Sequence, residues 1–204
     1  MATIEIRNLK KSFGDVEAVK GLTFEVQKGE TLGLLGPNGA GKTTTISMLI
    51  GLLEPSSGSV TIDGESPTKA ATRNQIGLAP QALSLYEELT ARENLVFFAR
   101  LYGLDGSRLK DRVSWALEFA GLADRAGDRV GTYSGGMKRR LNLACAMIHE
   151  PQVVLMDEPT VGVDPQSRNH IFECIEQLQK GGLTIIYTTH YMNEAERLCD
   201  RVVI

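Results

Sequence analysis

The sequence predicts an α/β protein: an antiparallel β opening, an α/β core built around a phosphate-binding loop, and a helical region inserted into that core. Three observations carry the prediction. Gly36-Pro37-Asn38-Gly39-Ala40-Gly41-Lys42-Thr43-Thr44 fits the pattern G-x-x-x-x-G-K-[ST], between a short apolar strand and a helix. Just upstream, Leu22, Phe24 and Val26 alternate with Thr23, Glu25 and Gln27, as in a strand with one wet face. From about residue 83 to 150 the apolar residues recur at helical spacing, and short apolar strands resume afterwards.

Taken in order, Ile4, Ile6 and Leu9 lie among polar residues and form a half-buried strand. Phe13 is the one aromatic of the early loop Ser12-Phe13-Gly14-Asp15; it either packs as a core or staple residue or offers its face to a purine base. The alternating strand turns at Lys28-Gly29-Glu30 into the buried run Thr31-Leu32-Gly33-Leu34-Leu35. Residues 43–53 carry Ile46, Leu49, Ile50 and Leu53 at helical spacing. Strands follow at 59–64 and 75–79. Gln81 stands just past the second one's carboxyl end, where ligands bind in α/β sheets.

Thr90-Ala91-Arg92-Glu93 is a capping box that opens a helix through Leu95, Phe98, Ala99 and Tyr102, and Gly103 can end it. Trp115, Leu117 and Phe119 belong to a second helix as core residues. Ser134 caps a third, whose apolar side is Leu141, Ala144, Cys145 and Ile148, with Pro151 beyond its end. Lys138-Arg139-Arg140 reads as a solvated face, with nearby phosphate as the alternative. Val153-Val154-Leu155-Met156 is an apolar strand running into Asp157-Glu158. Asp164 caps a helix with Pro165 at its first position; Ile171, Ile175 and Leu178 line its buried side and Gly181-Gly182 end it. Thr184-Ile185-Ile186-Tyr187-Thr188 is the next strand, and His190 lies past its end on the rim that holds Gln81 and Glu158.

Strand, glycine loop and helix are what phosphate binding needs. Glycines let backbone N–H groups turn inward around phosphate oxygens, and the helix N-terminus adds favourable partial charge. Lys42 would reach the outer phosphates and the Thr43 hydroxyl would ligate Mg²⁺. Two adjacent carboxylates at the end of a buried strand are costly unless they meet a cation or strong donors. Asp157 suits the Mg²⁺ shell. Glu158 could polarise a water for in-line attack on a γ-phosphate.

The 204 residues suffice for one domain with a subdomain, and 42 % hydrophobic and 23 % charged residues are ordinary for a globular chain. A net charge of −3 gives no global basic footprint for nucleic acid. Cys145, Cys174 and Cys199 are too dispersed for metal-ligand spacing and odd in number, so they read as core or half-buried thiols in a reducing compartment. No apolar run approaches a membrane span, and Met1-Ala2-Thr3-Ile4-Glu5-Ile6 lacks the regions of a signal peptide. The expected location is cytoplasmic unless a partner carries the chain to a membrane.

With these residues in order, the chain resembles the ATP-binding subunits of ABC transporters along nearly its whole length. Residues 36–44 resemble the Walker A loop and Gln81 the Q-loop glutamine. Tyr133-Ser134-Gly135-Gly136-Met137 resembles the LSGGQ signature, the family's most specific motif. Residues 153–158 resemble Walker B with its catalytic glutamate, Val163-Asp164 the D-loop, His190 the switch histidine and Phe13 the base-stacking aromatic. The resemblance implies a P-loop NTPase with a RecA-like core at about 1–83 and 151–204 and a helical subdomain at 84–150. It implies ATP and Mg²⁺ as ligands, the metal held by Thr43, Gln81 and Asp157. Glu158, His190, Gln81 and Lys42 form the implied catalytic set. Phe13, residues 36–44 (with Pro37, Asn38, Gly39, Ala40 and Thr44), Asp164 and a second subunit's Ser134, Gly135 and Gly136 enclose the nucleotide.

The implied assembly is a head-to-tail dimer that partners a transmembrane permease at the inner face of the membrane, with no nucleic acid expected. The Ser-Gly-Gly-Met-Lys-Arg-Arg form and Thr90-Ala91-Arg92-Glu93-Asn94-Leu95 look most like exporter-type members. Met137 stands for the usual glutamine, Tyr133 for leucine and Phe13 for tyrosine, changes expected to touch affinity or rate. The chain stops at Ile204 where family members continue, and so reads as truncated. The alternative is a relative in DNA repair or translation, but neither long coiled coils, nor zinc modules, nor a second ATPase unit is visible. The signature helix and the Walker B glutamate argue against a plain P-loop kinase or GTPase.

Overall fold

The structure, a computed structural model, describes residues 2–204. Its strands gather into two sheets of opposite character. β1 (Ala2–Phe13), β2 (Val16–Gln27) and β4 (Ser57–Ile62) form an antiparallel sheet in the order β2-β1-β4. β3 (Thr31–Leu35), β5 (Ile76–Ala79), β6 (Val153–Asp157), β7 (Thr184–Thr189) and β8 (Arg201–Val203) form a parallel sheet in the order β5-β6-β7-β3-β8. The first has its polar alternation because one face is wet. In the second, β6 and β7 are buried along their whole length, as expected of a parallel sheet covered on both faces.

Period two decides which cover each residue meets. Val154, Met156, Ile185 and Tyr187 pack with the helices of the 91–146 region: α3 (Ala91–Leu101), α4 (Gly106–Phe119) and α5 (Gly135–Ala146). α6 (Pro165–Lys180) joins the same cluster. Val153, Leu155, Ile186, Leu32 and Leu34 pack with Ile4, Ile6 and Leu9 of the antiparallel sheet and with Ile46, Met48 and Leu49 of α1 (Lys42–Leu49). Two smaller helices complete the chain, α2 (Ala70–Arg73) and α7 (Met192–Leu198).

The capping box at Thr90 and Glu93 is formed in both directions, and Gly103 at φ 75° follows the end of α3. Three expectations are corrected. The helix after the glycine loop ends at Leu49, because Gly51 turns left-handed at φ 70°; Leu52 beyond it is 78 % exposed. Phe13 closes a β-hairpin opposite Val16 and is 52 % exposed, so it is neither core nor staple. Lys138-Arg139-Arg140 is no solvated face: all three are half-buried and bonded within the chain. Among the described residues no helix is long and apolar enough to cross a membrane.

Candidate active site

The strand order places the candidate residues side by side. β3 lies next to β7, β7 next to β6 and β6 next to β5, all parallel, so the residues leaving their carboxyl ends share one rim. These are the glycine loop after β3, His190 after β7, Asp157 at the end of β6 with Glu158 just past it, and Gln81 after β5.

The loop is shaped by its glycines. Gly39 and Gly41 adopt φ 84° and 88°, and a Cβ on Gly41 would lie 2.4 Å from the Ala18 carbonyl oxygen. Gly41 is the left-handed start of α1, with no side-chain cap. The Gly36 N–H donates to the Thr189 carbonyl at 3.3 Å and Ala40 to Pro37 at 3.2 Å, while the N–H groups of Gly39, Gly41, Lys42, Thr43 and Thr44 have no acceptor within the described residues. Uncapped donors at a helix start favour an anion. They border a cavity of about 280 Å³ lined by Ala18, Asn38, Gly39, Gly41, Lys42, Thr43, Thr44, Gln81 and Glu158.

The charged groups are knit together beneath it. The Lys42 ammonium donates to the carbonyls of Gly36 (2.7 Å) and Pro37 (3.0 Å) and lies 3.0 Å from Glu158 Oε1, both side chains under a tenth exposed. Glu158 Oε2 is 3.5 Å from Gln81 Nε2 and 3.2 Å from His190 Nδ1. The imidazole nitrogen is close enough to pair yet off the angle of a hydrogen bond, and so stays unsatisfied and buried. Thr43 Oγ1 donates to Asp157 Oδ2 at 2.8 Å. Glu158 sits at φ 46°, a left-handed conformation uncommon outside glycine.

Thr188 holds the two carboxylates in register. Its hydroxyl donates to Asp157 Oδ1 at 2.6 Å and accepts the Glu158 N–H at 3.0 Å. No motif names Thr188. The signal available in the sequence is a polar pair, Thr188-Thr189, ending an otherwise apolar strand.

The remaining candidates form a separate group. Ser134 caps α5 by accepting the Met137 N–H at 3.3 Å, and Ser134 and Gly135 are exposed. Gly136 is buried against α6, where a Cβ would meet Ser167 Oγ at 2.2 Å. Asp164 in turn caps α6 by accepting the Ser167 N–H at 3.0 Å, which holds its carboxyl below the usual range. Tyr133 is buried and anchors the start of α5 through its hydroxyl, which donates to the Arg125 carbonyl at 2.6 Å. Neither Ser134, Gly135, Gly136 nor Asp164 lines the cavity of the glycine loop. Arg139 connects the two groups, donating to the carbonyl of Gln81 and, at 3.2 Å, to that of Val161. Phe13 lies apart from both, with the Lys11 ammonium 5.3 Å from its ring centre.

The family pattern described as "ABC transporter" matches residues 19–161, which contain the glycine loop, Gln81, the Ser134 helix start and Glu158. The chain belongs to the ABC transporter ATP-binding family. Among curated relatives, the linearmycin resistance ATP-binding protein LnrL of Bacillus subtilis is 51 % identical, over 98 % of this chain and 65 % of its own length. The Nod factor export ATP-binding protein I of Burkholderia lata is 48 % identical, over 100 % and 68 %. The chain thus spans about two thirds of the length of these relatives. A structure described as the ATP binding subunit of an ABC transporter superposes with a TM-score of 0.87 at 34 % identity, covering 99 % of this chain and 85 % of that one. That of cbiO1 from Clostridium perfringens, described as part of the ABC transporter complex cbiONQ, gives 0.88 at 28 %, covering 100 % and 87 %. A shorter match, to a pattern described as "AAA domain, putative AbiEii toxin, Type IV TA system", covers residues 129–194.

With membership established, the motif residues fall into two halves. Residues 36–44, Gln81, Asp157, Glu158 and His190 lie at the carboxyl ends of neighbouring strands, while residues 134–136 and Asp164 lie at the starts of α5 and α6, where Gly136 packs against Ser167.

Proposed function

We propose that the chain binds and hydrolyses ATP to power a membrane transporter, of exporter type, as one subunit of a nucleotide-dependent dimer. The observation that carries the reading is Glu158: one carboxylate lying 3.0 Å from the Walker lysine and 3.2 Å from the switch histidine, beside the bonded pair Thr43–Asp157. The free N–H groups of Gly39, Gly41, Lys42, Thr43 and Thr44 wrap the phosphates, with the Lys42 ammonium on the outer ones. Glu158 accepts a proton from a water held in line with the γ-phosphate and orients it. Gln81 and His190 close the water's other sides, and Phe13 offers its exposed ring to the base.

Thr43 and Asp157 bring two hard oxygen donors together and Gln81 lines the same cavity as Thr43, a set that would suit Mg²⁺ with its one or two carboxylates and remaining phosphate or water ligands. When bound, the metal neutralises charge on the transferred phosphoryl group.

Residues 1–83 and 151–204 serve as the ATPase core and 84–150 as the helical subdomain. Two such units meet head to tail, so that Ser134 and Gly135 of one, with Gly136 setting their height over Ser167, cover the γ-phosphate held by the other. Support comes from the exposure of Ser134 and Gly135 away from the cavity of their own chain. The export role and a permease partner at the inner membrane face are supported by relatives named for Nod factor export and linearmycin resistance.

Glu158→Gln is expected to retain ATP, to lose at least ~10²-fold in hydrolysis, and to sediment as a dimer only with ATP. Mixing Lys42→Ala with Ser134→Arg chains should restore part of the activity that each lacks, because one composite site of the mixed dimer is intact. Full turnover in Glu158→Gln would move the general base elsewhere. A monomer at saturating ATP, with no recovery on mixing, would end the shared-site reading.

A further inference from the structure

Glu194, in the first turn of α7, is 1 % exposed and has no part in the chemistry above. Three hydroxyls donate to its two oxygens: Thr160 to Oε1 at 2.7 Å, and Tyr187 and Thr189 to Oε2 at 2.9 and 2.8 Å. The nearest cation, Arg168, has its Nε 3.8 Å from Oε1, too far to donate, and that nitrogen is buried without a partner. A carboxylate so deep is costly unless strong donors meet it. What those donors are attached to gives it a purpose.

Thr160 lies two residues beyond Glu158, and Thr189 immediately precedes His190. The Thr189 hydroxyl gives its proton to Glu194 and accepts the Tyr191 N–H at 3.0 Å, so it spans His190 from one side to the other. The Glu194 N–H donates to the Tyr191 carbonyl at 3.2 Å, and the Tyr191 ring leans on the imidazole with centres 4.0 Å apart. The Thr189 carbonyl meanwhile accepts the N–H of Gly36, at the start of the glycine loop. One acid thereby braces the chain behind both Glu158 and His190.

We propose that Glu194 is a positioning residue for ATP hydrolysis, which through Thr189 and Thr160 fixes the imidazole of His190 against Glu158. The proposal rests on the ATPase reading of this same site. Its physical core is directional. Both Glu194 oxygens accept, so the Thr189 lone pair is left for Tyr191. An amide at 194 has one accepting oxygen and one donating nitrogen, and at least one of the two threonine hydroxyls must then turn round.

The test is a double-mutant cycle on the full chain, reading kcat and ATP affinity separately. Glu194→Gln should lower kcat by about tenfold with ATP affinity within about twofold of wild type, and cost less than about twofold once His190 is already alanine. A residue that merely supports packing would cost the same in both backgrounds. Should Glu194→Gln fail to fold, Thr189→Val keeps the shape, removes the spanning hydroxyl and is put through the same cycle. Equal costs with and without His190, wild-type kcat in Glu194→Gln, or wild-type kcat in His190→Ala would each overturn the proposal while leaving a hydrolysing enzyme. Absence of any ATP turnover in the wild-type protein would instead overturn the ATPase reading, and this proposal with it.

Discussion

α1 starts after Gly41 and α5 starts at Gly135 after Ser134, and these two glycine starts are built differently. α1 has no side-chain cap, and the N–H groups of Gly39, Gly41, Lys42, Thr43 and Thr44 at its start have no acceptor among the described residues. α5 spends its Ser134 hydroxyl on its own Met137 N–H. Gly41 is glycine because its backbone is left-handed and the Ala18 carbonyl is 2.4 Å from where a Cβ would sit. Gly136 keeps an ordinary helical backbone and is glycine because Ser167 of α6 occupies the space beside it. The same letter thus records a demand of the backbone in one region and a demand of a neighbour in the other. Only the first start keeps its N–H groups free for an acceptor other than its own chain.

The largest expected effect falls on the first region. Gly41→Ala must bear about 1–2 kcal/mol for the left-handed backbone, plus the overlap with a carbonyl that has nowhere to go. It should melt lower by more than about 2 kcal/mol and bind no ATP measurably. Retained affinity would show that the loop tolerates a Cβ and that the comparison is mistaken. Gly136→Ala should cost less, about 1–3 kcal/mol as an overpacking change, and leave ATP affinity of the isolated chain unaltered. Because its opponent is a side chain, Ser167→Gly should return most of that stability; a failure of this rescue in thermal melts would place the conflict elsewhere.

The smallest effect is at the far end of α5. His149 follows the helix, stacks on Tyr102 at 3.6 Å between ring centres, and donates from Nε2 to the Ile76 carbonyl at 3.1 Å. Burial lowers its pKa to about 4 from the usual 6.5. The unfolded chain therefore takes up a proton that the folded chain refuses, and the folded state loses stability as pH falls from 6.5 towards 4. Urea titrations should show about 1–2 kcal/mol lost over that window, a loss that His149→Gln lacks. An identical pH slope in both proteins would release His149 from any role in fastening α5 to β5.

Much of this was legible in the chain. β3, β6 and β7 stand where apolar runs end in polar residues, and the α3 capping box, the Ser134 cap and the Asp164-Pro165 start are all formed. Those signals are local: a cap or a strand end is decided by neighbours a few residues away. What was not legible depends on separation. Thr188 acts on Asp157 and Glu158, and Glu194 on Thr160, all 30 or more residues distant, and although Tyr187 and Thr189 lie near Glu194 in the chain no local pattern announces that they meet it. The basic run Lys138-Arg139-Arg140 follows the same rule, since a run of charge looks solvated in the sequence while its partners Glu87, Val161 and Gly121 lie 19 or more residues away. α7 is short, and its pattern Met192-Asn193-Glu194-Ala195 offers no strong start.

Arg139 has a mechanical consequence. A guanidinium is planar, and its two terminal nitrogens cannot swing independently. With one on the Gln81 carbonyl and the other on the Val161 carbonyl, the side chain works as a spacer of fixed length between two loops, mounted on the second turn of α5. Any displacement of the Gln81 carbonyl is then felt at the Val161 carbonyl, while the jointed stem of Arg139 ties both more loosely to α5. A lysine there would keep the charge and lose the rigidity, leaving loops that can still move but no longer in step.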